Sequence, residues 1–250
     1  MQAWFALAQR HHLLPQRFAM SLIHQSVGSI AKQIPGATAV FHKYDLDFCC
    51  GGKHSLAQAA QARQVDPAVV EAELMRLPAV AAQADAESAA VAACDAGHSD
   101  VLIEHILQRY HEVHRQQLPE LIRLAHRVEQ VHGDRDDCPV GLAAHLEAMF
   151  QALQSHMLKE EKILFPLLLA QHNAQARMPI AVMRHEHDQH GAELQKLLDL
   201  TDHITPPRAA CTTWRALYGG LREFKEDLMQ HIHLENNVLF LHTEQAVAAA

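Results

Sequence analysis

Aromatic side chains are scarce in this chain of 250 residues, at 5% of the total, whereas alanine is abundant. This composition disfavours β-sheet and favours helix. No apolar run approaches the roughly 18 residues that a membrane-spanning helix needs, so we expect no membrane association. The net charge is −8, and such an acidic balance lacks the broad basic surface with which proteins bind nucleic acid.

Cysteine is also sparse, and the five cysteines show no CxxC spacing. An odd number cannot all form disulfides within one chain, and the first residues, MQAWFALAQRHH, lack the basic start and the cleavage site of a secretory signal. These absences favour a reducing, cytoplasmic compartment. A P-loop and a GxSxG motif are absent too, which removes two common enzyme classes.

Composition divides the chain into four parts. We expect residues 1–19 to be a disordered extension or a misplaced start, because a regular pattern begins at Met20. Residues 20–76 are predicted to form a small helical domain with an adjacent cysteine pair. Residues 77–98 are rich in alanine and weakly patterned, which predicts a linker that is partly helical. Residues 99–245 have a strong helical pattern.

Four helices are predicted after residue 99, because apolar residues there alternate at spacings of three and four. The stripes run from Leu107 to His132, Leu142 to Leu167, Ile180 to Leu197 and Trp214 to Val238. Breaks are expected at 133–139, 172–179 and 205–207. Connections this short predict an all-α fold with an antiparallel, up-down-up-down four-helix bundle. Pro119 is expected to kink or interrupt the first helix.

Histidine is the one residue in excess, with 21 copies, as many as lysine and arginine together. His156 and Glu160 lie one helical turn apart, on the buried stripe. His231 and Glu235 repeat this arrangement 75 residues later, within HIHLENNVLF, which matches HMLKEEKILF at 156–165. An isolated H-x-x-x-E is usually a solvated pair, but two copies at core positions favour a buried metal site.

Two further histidines are predicted to reach the same level of the bundle, because their distances from the helix ends match at about 1.5 Å per residue. His111 and His187 complete a set of six with the two His–Glu pairs. Four imidazoles and two carboxylates exceed one structural zinc site, so we predict two cations with both glutamates bridging. Mixed nitrogen and oxygen ligation suits iron, manganese, zinc or cobalt.

Three more histidines lie on the stripes but not at this level. His114 and His190 are each one turn away, and we expect them to support the ligands or to be ordinary buried histidines. His132 lies 21 residues from His111, about 31 Å along a straight helix. It is therefore expected outside the centre unless the chain turns at Pro119.

These residues resemble a known family, the di-iron proteins that repair iron–sulfur clusters. The resemblance extends from about Met20 to Glu244 and includes KYDLDFCCGG, RYHEVHRQQLPEL, SHMLKEEKILFP, VMRHEHDQHG, PPRAACTTW and HIHLENNVLF. It implies a hemerythrin-like bundle that holds two non-haem iron ions, behind a small N-terminal domain that carries the cysteine pair. By position, it implies iron ligands at His111, His156, Glu160, His187, His231 and Glu235. A further family histidine matches His132.

The third helix departs from the oxygen-carrying hemerythrins, which have two histidines one turn apart there. Here Gly191 follows His187 by four residues, and the last helix has H-x3-E in place of H-x4-D. One protein ligand fewer leaves a metal position more open, which favours chemistry or iron transfer over oxygen storage.

Cys49 and Cys50 precede two glycines, which permit unusual backbone conformations around the thiols. From the residues alone, the pair is either incidental, a vicinal disulfide, a joint metal ligand or a target of nitric oxide or peroxide. The resemblance favours a redox or nitrosylation-sensitive role.

The resemblance implies that the protein helps to restore iron–sulfur clusters damaged by nitrosative and oxidative stress. It would supply iron to damaged iron–sulfur proteins or bind nitric oxide or oxygen, as a repair factor and iron donor more than as an enzyme. Nitric oxide reduction and sensing of oxygen or nitric oxide remain the alternatives. No nucleic acid partner is expected, and a homodimer is compatible with the sequence.

Overall fold

The computed structural model describes residues 21–77 and 86–249, and these residues form helices, turns and loops with no β-strand. The all-α prediction is confirmed. Residues 1–19, predicted to be an extension or a misplaced start, lie outside the described part of the chain. The first half contains a 3₁₀ turn and six helices, namely Leu22–His24, α1 Val27–Gln33, α2 Ala37–Lys43, α3 Leu56–Ala62, α4 Pro67–Arg76, α5 Ala86–Asp95 and α6 Ser99–Ile106. The second half contains α7 Glu112–His132, α8 Leu142–Lys159, α9 Phe165–Leu169, α10 Asn173–Leu200, α11 Thr212–Leu234 and α12 Phe240–Ala248.

Short polar motifs start the helices of the N-terminal region. The Ser26 hydroxyl accepts a hydrogen bond from the backbone of Ser29 at the start of α1. Ser55 and Gln58 form a reciprocal capping box at α3. Asp66 caps α4, and Pro67 occupies the first helical position. A backbone N–H at that position would have no partner within the helix, so its absence in proline costs no hydrogen bond. These local signals explain why such short helices form at fixed places.

The four bundle helices span residues 99–132, 142–169, 173–200 and 212–248, and the four-helix bundle is confirmed. Three of them contain a π-helical turn, at Leu107–His111, Glu160–Leu164 and Glu235–Leu239. Helix α7 packs against α8 and α11, and α10 packs against α8 and α12. Consecutive helices joined by short loops thus lie side by side, as an antiparallel bundle requires.

Two apolar cores fill the bundle, with a polar layer between them. One core joins the N-terminal region to one end of the bundle and includes Phe48, Leu118, Leu153 and Leu228. The second core fills the opposite end and includes Tyr110. Along the first and third helices the second core precedes the polar layer, and along the other two it follows it. This alternation places the six predicted ligands at one level.

Prolines cause fewer breaks than the sequence predicts. Pro119 was expected to kink or interrupt its helix, and the helix is not interrupted there, because Glu112–His132 is one continuous α-helix. The break predicted at 172–179 is also too long, because α10 begins at Asn173 and contains Pro179. A proline inside a helix costs about 3 kcal/mol. The neighbours Leu118 and Leu121 are buried, so tertiary packing offsets that cost here.

The three-four alternation of the second stripe includes Ile163 and predicts that it is buried, but 53% of its surface is exposed. The π-helical turn Glu160–Leu164 explains the difference. A π-turn accommodates one extra residue and so shifts the phase of every side chain that follows. Leu164 and Phe165 are buried where a regular helix would have buried Ile163.

The segment 77–98, predicted as a partly helical linker, contains the packed helix α5 where it is described. Ala90 and Cys94 of α5 are buried against α6. The carboxylate of Glu87 accepts a hydrogen bond from the Tyr110 hydroxyl. It accepts another from Nε2 of Gln230, at 2.7 Å. This part of the segment therefore contributes a helix to the second apolar core.

The N-terminal region is held against the bundle at a close approach between glycine and asparagine. A Cβ atom on Gly52 would lie 2.6 Å from Oδ1 of Asn237 and 2.8 Å from the backbone oxygen of Phe48. We expect Gly52→Ala to lower the free energy of unfolding by about 1–3 kcal/mol, because the backbone must shift. Urea unfolding measures this change.

Gly219→Ala is the matched control, because a Cβ atom there meets nothing within 4 Å and the residue lies inside α11. We expect this control to raise the free energy of unfolding by about 0.5–1 kcal/mol, the usual gain in a helix. Equal effects of the two substitutions would contradict the close approach at Gly52.

Candidate metal centre

The polar layer brings the six predicted ligands together on four helices, and each is at most 1% exposed. They form two clusters whose ligand atoms lie within 4.8 Å of one another. The first contains His111 and His231, the second contains His156 and His187, and both share Glu160 and Glu235. The two clusters could each hold a metal ion. The assignment of these six side chains as ligands stays a prediction.

The two carboxylates divide their oxygens between the clusters. Oε2 of Glu160 lies 3.4 Å from Nε2 of His111, and its Oε1 lies 3.3 Å from Nε2 of His156. Oε1 of Glu235 lies 3.0 Å from Nε2 of His231, and its Oε2 lies 3.1 Å from Nε2 of His187. Each glutamate therefore presents one oxygen to each cluster, which is the arrangement of a bridging carboxylate.

The donor set fits cations better than it fits a hydrogen-bonded network. Nε2 of His111 faces Nε2 of His231 at 3.2 Å, and Nε2 of His156 faces that of His187 at 3.0 Å. Between two such nitrogens at most one hydrogen can be shared. Both oxygens of Glu160 are buried without a hydrogen-bond partner. Carboxylate oxygens that are buried without a hydrogen bond are costly, and a cation in each cluster would satisfy them.

Each glutamate lies at the first position of a π-helical turn. Glu160 begins the turn Glu160–Leu164, and Glu235 begins Glu235–Leu239. His111 ends the third such turn, Leu107–His111. π-Turns are frequent at functional sites because they re-aim side chains within a helix. The i,i+4 spacing of an α-helix already places each histidine and glutamate on one face, and the π-turn changes the phase of the residues after the glutamate.

Three of the four histidines are oriented through the ring nitrogen that faces away from the centre. Nδ1 of His111 lies 2.8 Å from Glu161, Nδ1 of His156 lies 3.0 Å from Glu186, and Nδ1 of His187 lies 3.0 Å from the amide oxygen of Asn236. Lys159 and Arg115 form ion pairs with Glu186 and Glu161, respectively. Such partners fix the ring and leave Nε2 for a cation.

The carboxylates control the charge of two histidines. Burial lowers the pKa of His111, but Glu160 and Glu235 outweigh burial and raise the pKa to about 10. Burial is likewise outweighed at His156, where Glu160 and Glu235 together with Glu186 raise the pKa to about 9. Burial raises the pKa of Glu160, and the imidazole of His156 lowers it. The net shift of this pKa is downward. Without a cation, protonated histidines neutralise the carboxylates.

His114 and His190 are buried beside the clusters but are not members of them. The His114 ring lies 5.4 Å from that of His231, and the His190 ring lies 5.0 Å from that of His156. Burial lowers the pKa of His114 well below its ordinary value and that of His190 to about 3. Both rings are therefore neutral and add no positive charge next to a cation.

His132 lies at the C-terminal end of α7, on the far side of the first apolar core from the clusters. Its Nε2 is 3.4 Å from Sγ of Cys211, and its ring packs 5.2 Å from that of Trp214. The distance argument from the sequence therefore describes its position correctly, and it is not among the residues of either cluster.

The cysteine pair lies against the bundle, next to a predicted ligand. Sγ of Cys50 donates to the backbone oxygen of His187 at 3.2 Å. Asn236 and Asn237 each donate to the backbone oxygen of Cys49 at 3.3 Å. The neighbouring Cys50 thiol and burial raise the pKa of the Cys49 thiol well above its ordinary value. Both cysteines are free thiols, and their redox or nitrosylation role stays a prediction.

Four residues of this site were missed from the sequence. They are Glu161, Glu186, Asn236 and Asn237. The signal was adjacency, because each directly precedes a predicted ligand or follows one within two residues. A residue next to a ligand in a helix points about 100° away, towards the neighbouring helices that carry the other ligands.

Family comparisons agree with this architecture. Residues 102–241 match the model of the hemerythrin HHE cation-binding domain. Residues 23–78 match a second model, described as a domain of unknown function, DUF542. The fold and the clusters thus define a hemerythrin-type cation-binding domain.

Similar proteins cover almost the whole chain. A probable iron-sulfur cluster repair protein of Haemophilus influenzae is 48% identical over 88% of this chain and 97% of its own length. Iron-sulfur cluster repair protein YtfE of Musicola paradisiaca is 51% identical over 86% and 94%, respectively. YtfE of Escherichia coli is 47% identical over 88% and 97%. The chain belongs to the family of iron–sulfur cluster repair proteins.

Among the described residues, no helix has both the length and the hydropathy of a membrane-spanning segment.

The orientation of His156 by Glu186 gives a testable prediction. Glu186→Gln removes the charge that holds Nδ1 of His156, so we expect the dissociation constant for Fe²⁺ to rise about tenfold or more. Anaerobic titration with a competing chelator measures this constant. Glu120→Gln is the control, because this exposed glutamate forms an ion pair with Arg123 on the surface of the same helix. Equal affinities of the two variants would contradict the orienting role.

The raised pKa values of His111 and His156 predict that metal uptake releases protons. With pKa values of about 10 and 9, both imidazoles are protonated at pH 7 when the clusters hold no cation. A cation needs the neutral imidazole, so two histidines must each lose one proton. Affinity therefore rises with pH between 7 and 9. Calorimetry in buffers of different ionisation enthalpy counts these protons, and a count near zero at pH 7 would refute the assignment.

Proposed function

We propose that this protein supplies iron for the repair of damaged iron–sulfur clusters, from a carboxylate-bridged di-iron centre. The observation that carries the proposal is the division of oxygens, since Glu160 and Glu235 each present one oxygen to each cluster. Two bridging carboxylates require two cations. The ligands of this centre are His111, His156, Glu160, His187, His231 and Glu235.

Iron is the metal that agrees best with both the donor set and the family. Each cluster offers two imidazoles and two carboxylates, a mixed nitrogen and oxygen set that suits iron. Structural zinc sites usually close with four ligands, often including thiolates, whereas iron accepts more than four. When bound, the iron pair would supply a store of Fe²⁺ and open coordination positions for small molecules.

The side chains of the centre compensate for a departing cation. As iron leaves, His111 and His156 would each take up a proton at Nε2, because the two carboxylates raise their pKa values. The outward nitrogen of each ring stays bonded to Glu161 or Glu186. Buried carboxylates are thus never left without positive charge. This replacement of a cation by protons lowers the free energy needed to release iron.

The partners we propose are iron–sulfur proteins damaged under nitrosative and oxidative stress. The names of the similar proteins, which describe iron–sulfur cluster repair, support this proposal. A cytoplasmic location is proposed as well, because all five cysteines are free thiols and such thiols persist in reducing compartments.

A reaction of the centre with nitric oxide is a second candidate function. What favours it is the ligand count, since each cluster has four protein ligands and octahedral iron takes six. Steady consumption of nitric oxide in the presence of an electron donor would support it. Reversible spectral change without iron loss would instead support a sensor.

Loss of a bridging carboxylate tests the iron store. We expect Glu235→Gln to reduce bound iron from two ions per chain to one or fewer, because the neutral amide cannot bridge two cations. Iron analysis of the full-length protein after anaerobic reconstitution measures this. Glu223→Gln is the control, since Glu223 is exposed on the same helix.

Reactivation of a damaged [4Fe–4S] dehydratase then tests iron supply. We expect the iron-loaded wild-type protein and Glu223→Gln to restore activity, and iron-free protein and Glu235→Gln to fail. Equal reactivation by iron-loaded and iron-free protein would refute iron supply.

A further inference from the structure

A cavity of about 390 Å³ lies between the N-terminal region and helices α10 and α11. Both cysteines of the pair line it, and three aspartates (Asp45, Asp47 and Asp188) line it as well. The cavity is separate from the two His–Glu clusters, whose six residues are not among its lining residues. It is therefore a second concave site with soft and acidic ligand atoms.

The two thiols are spaced for one shared cation. Sγ of Cys49 lies 3.8 Å from Sγ of Cys50. Two thiolates at the usual distance of about 2.3 Å from a tetrahedral cation lie about 3.8 Å apart. No rearrangement of the turn is needed for both sulfurs to bind the same ion.

Asp47 offers a third ligand at the same place. Its Oδ1 lies 3.3 Å from Sγ of Cys49, so the three ligand atoms meet within 4.8 Å. The backbone amides of Cys49, Cys50 and Gly51 donate to this carboxylate. Two of these amides donate to Oδ1 and that of Gly51 donates to Oδ2, so they hold the carboxylate in position and leave one of its four acceptor sites free, on Oδ2.

Contacts with the bundle place this site directly beside the metal centre. Sγ of Cys50 lies 3.2 Å from the backbone oxygen of His187. The side chain of Asn236 joins the backbone oxygen of Cys49 to Nδ1 of the same histidine. A Cβ atom on Gly191 would lie 3.3 Å from Sγ of Cys50, so the absence of a side chain there makes room for the thiol.

We propose that Asp47, Cys49 and Cys50 form a third cation site, which accepts iron from the di-iron centre on its way to the surface. This inference rests on the proposed iron supply. The vicinal pair thus binds a divalent cation of the borderline-soft class, with Fe²⁺ as the physiological ion and Cd²⁺ as a stronger probe.

The transfer involves no change of oxidation state. Fe²⁺ exchanges imidazole and carboxylate ligands for two thiolates and the Asp47 carboxylate. Both S–H bonds break as the Fe–S bonds form, and the two protons pass to water. The net charge of the third site is therefore the same before and after it takes up Fe²⁺.

Cadmium binding tests the site in the iron-loaded, full-length protein under anaerobic conditions with a phosphine reductant. We expect one Cd²⁺ per chain in addition to the two irons, with a thiolate-to-metal charge-transfer band in the ultraviolet. The double variant Cys49→Ser/Cys50→Ser should lose both. Cys138→Ser/Cys211→Ser is the matched control, because these free cysteines are not among the cavity residues. Retention of the band in the first variant would overturn the proposal.

Iron transfer to an external chelator tests the route. We expect Cys49→Ser/Cys50→Ser to bind two irons as the wild type does but to release them about tenfold more slowly, and the control variant to release them at the wild-type rate. An unchanged rate in the cysteine-pair variant would overturn the route. Failure of the wild type to reactivate a damaged cluster, with cadmium binding and chelator transfer intact, would refute the proposed function and leave the third site standing.

Discussion

Burial of two carboxylates among four imidazoles is the constraint on which the structure depends. Glu160 and Glu235 are fully buried, and an unpaired charge in such a place would destabilise the fold. The chain balances them with protons on histidines or with cations, and the two are alternatives at the same nitrogens. The same constraint therefore provides both stability without metal and a driving force for exchange with metal.

Residues around the centre connect its ligands to the rest of the molecule through ion pairs and hydrogen bonds. Glu161 and Glu186 connect His111 and His156 to Arg115 and Lys159 at the surface. Asn236 connects His187 to the cysteine turn. The N-terminal region is thus coupled to the ligand layer by hydrogen bonds, in addition to the apolar core that it shares with the bundle.

Much of the fold and of the site could be predicted from the sequence because the relevant signals are local and repeated. The three-four stripes give the bundle, and the duplicated H-x-x-x-E gives a histidine and a glutamate one turn apart on the buried stripes of the second and fourth helices. The π-turns could not be predicted, since nothing in the pattern marks an extra residue, and Ile163 was misplaced for that reason. The approach of Cys50 to His187 depends on tertiary packing between residues 137 positions apart, which periodicity does not report.

The π-turns have a consequence for the periodicity of this bundle. Each one resets the helical phase at the ligand layer, so the apolar core on one side keeps its own periodicity, independent of the other. Residues on the two sides of Glu160, or of Glu235, are not linked by a common repeat. Any heptad count along the three helices with a π-turn must therefore begin again at the ligand layer, whereas α10 passes through that layer as one continuous α-helix.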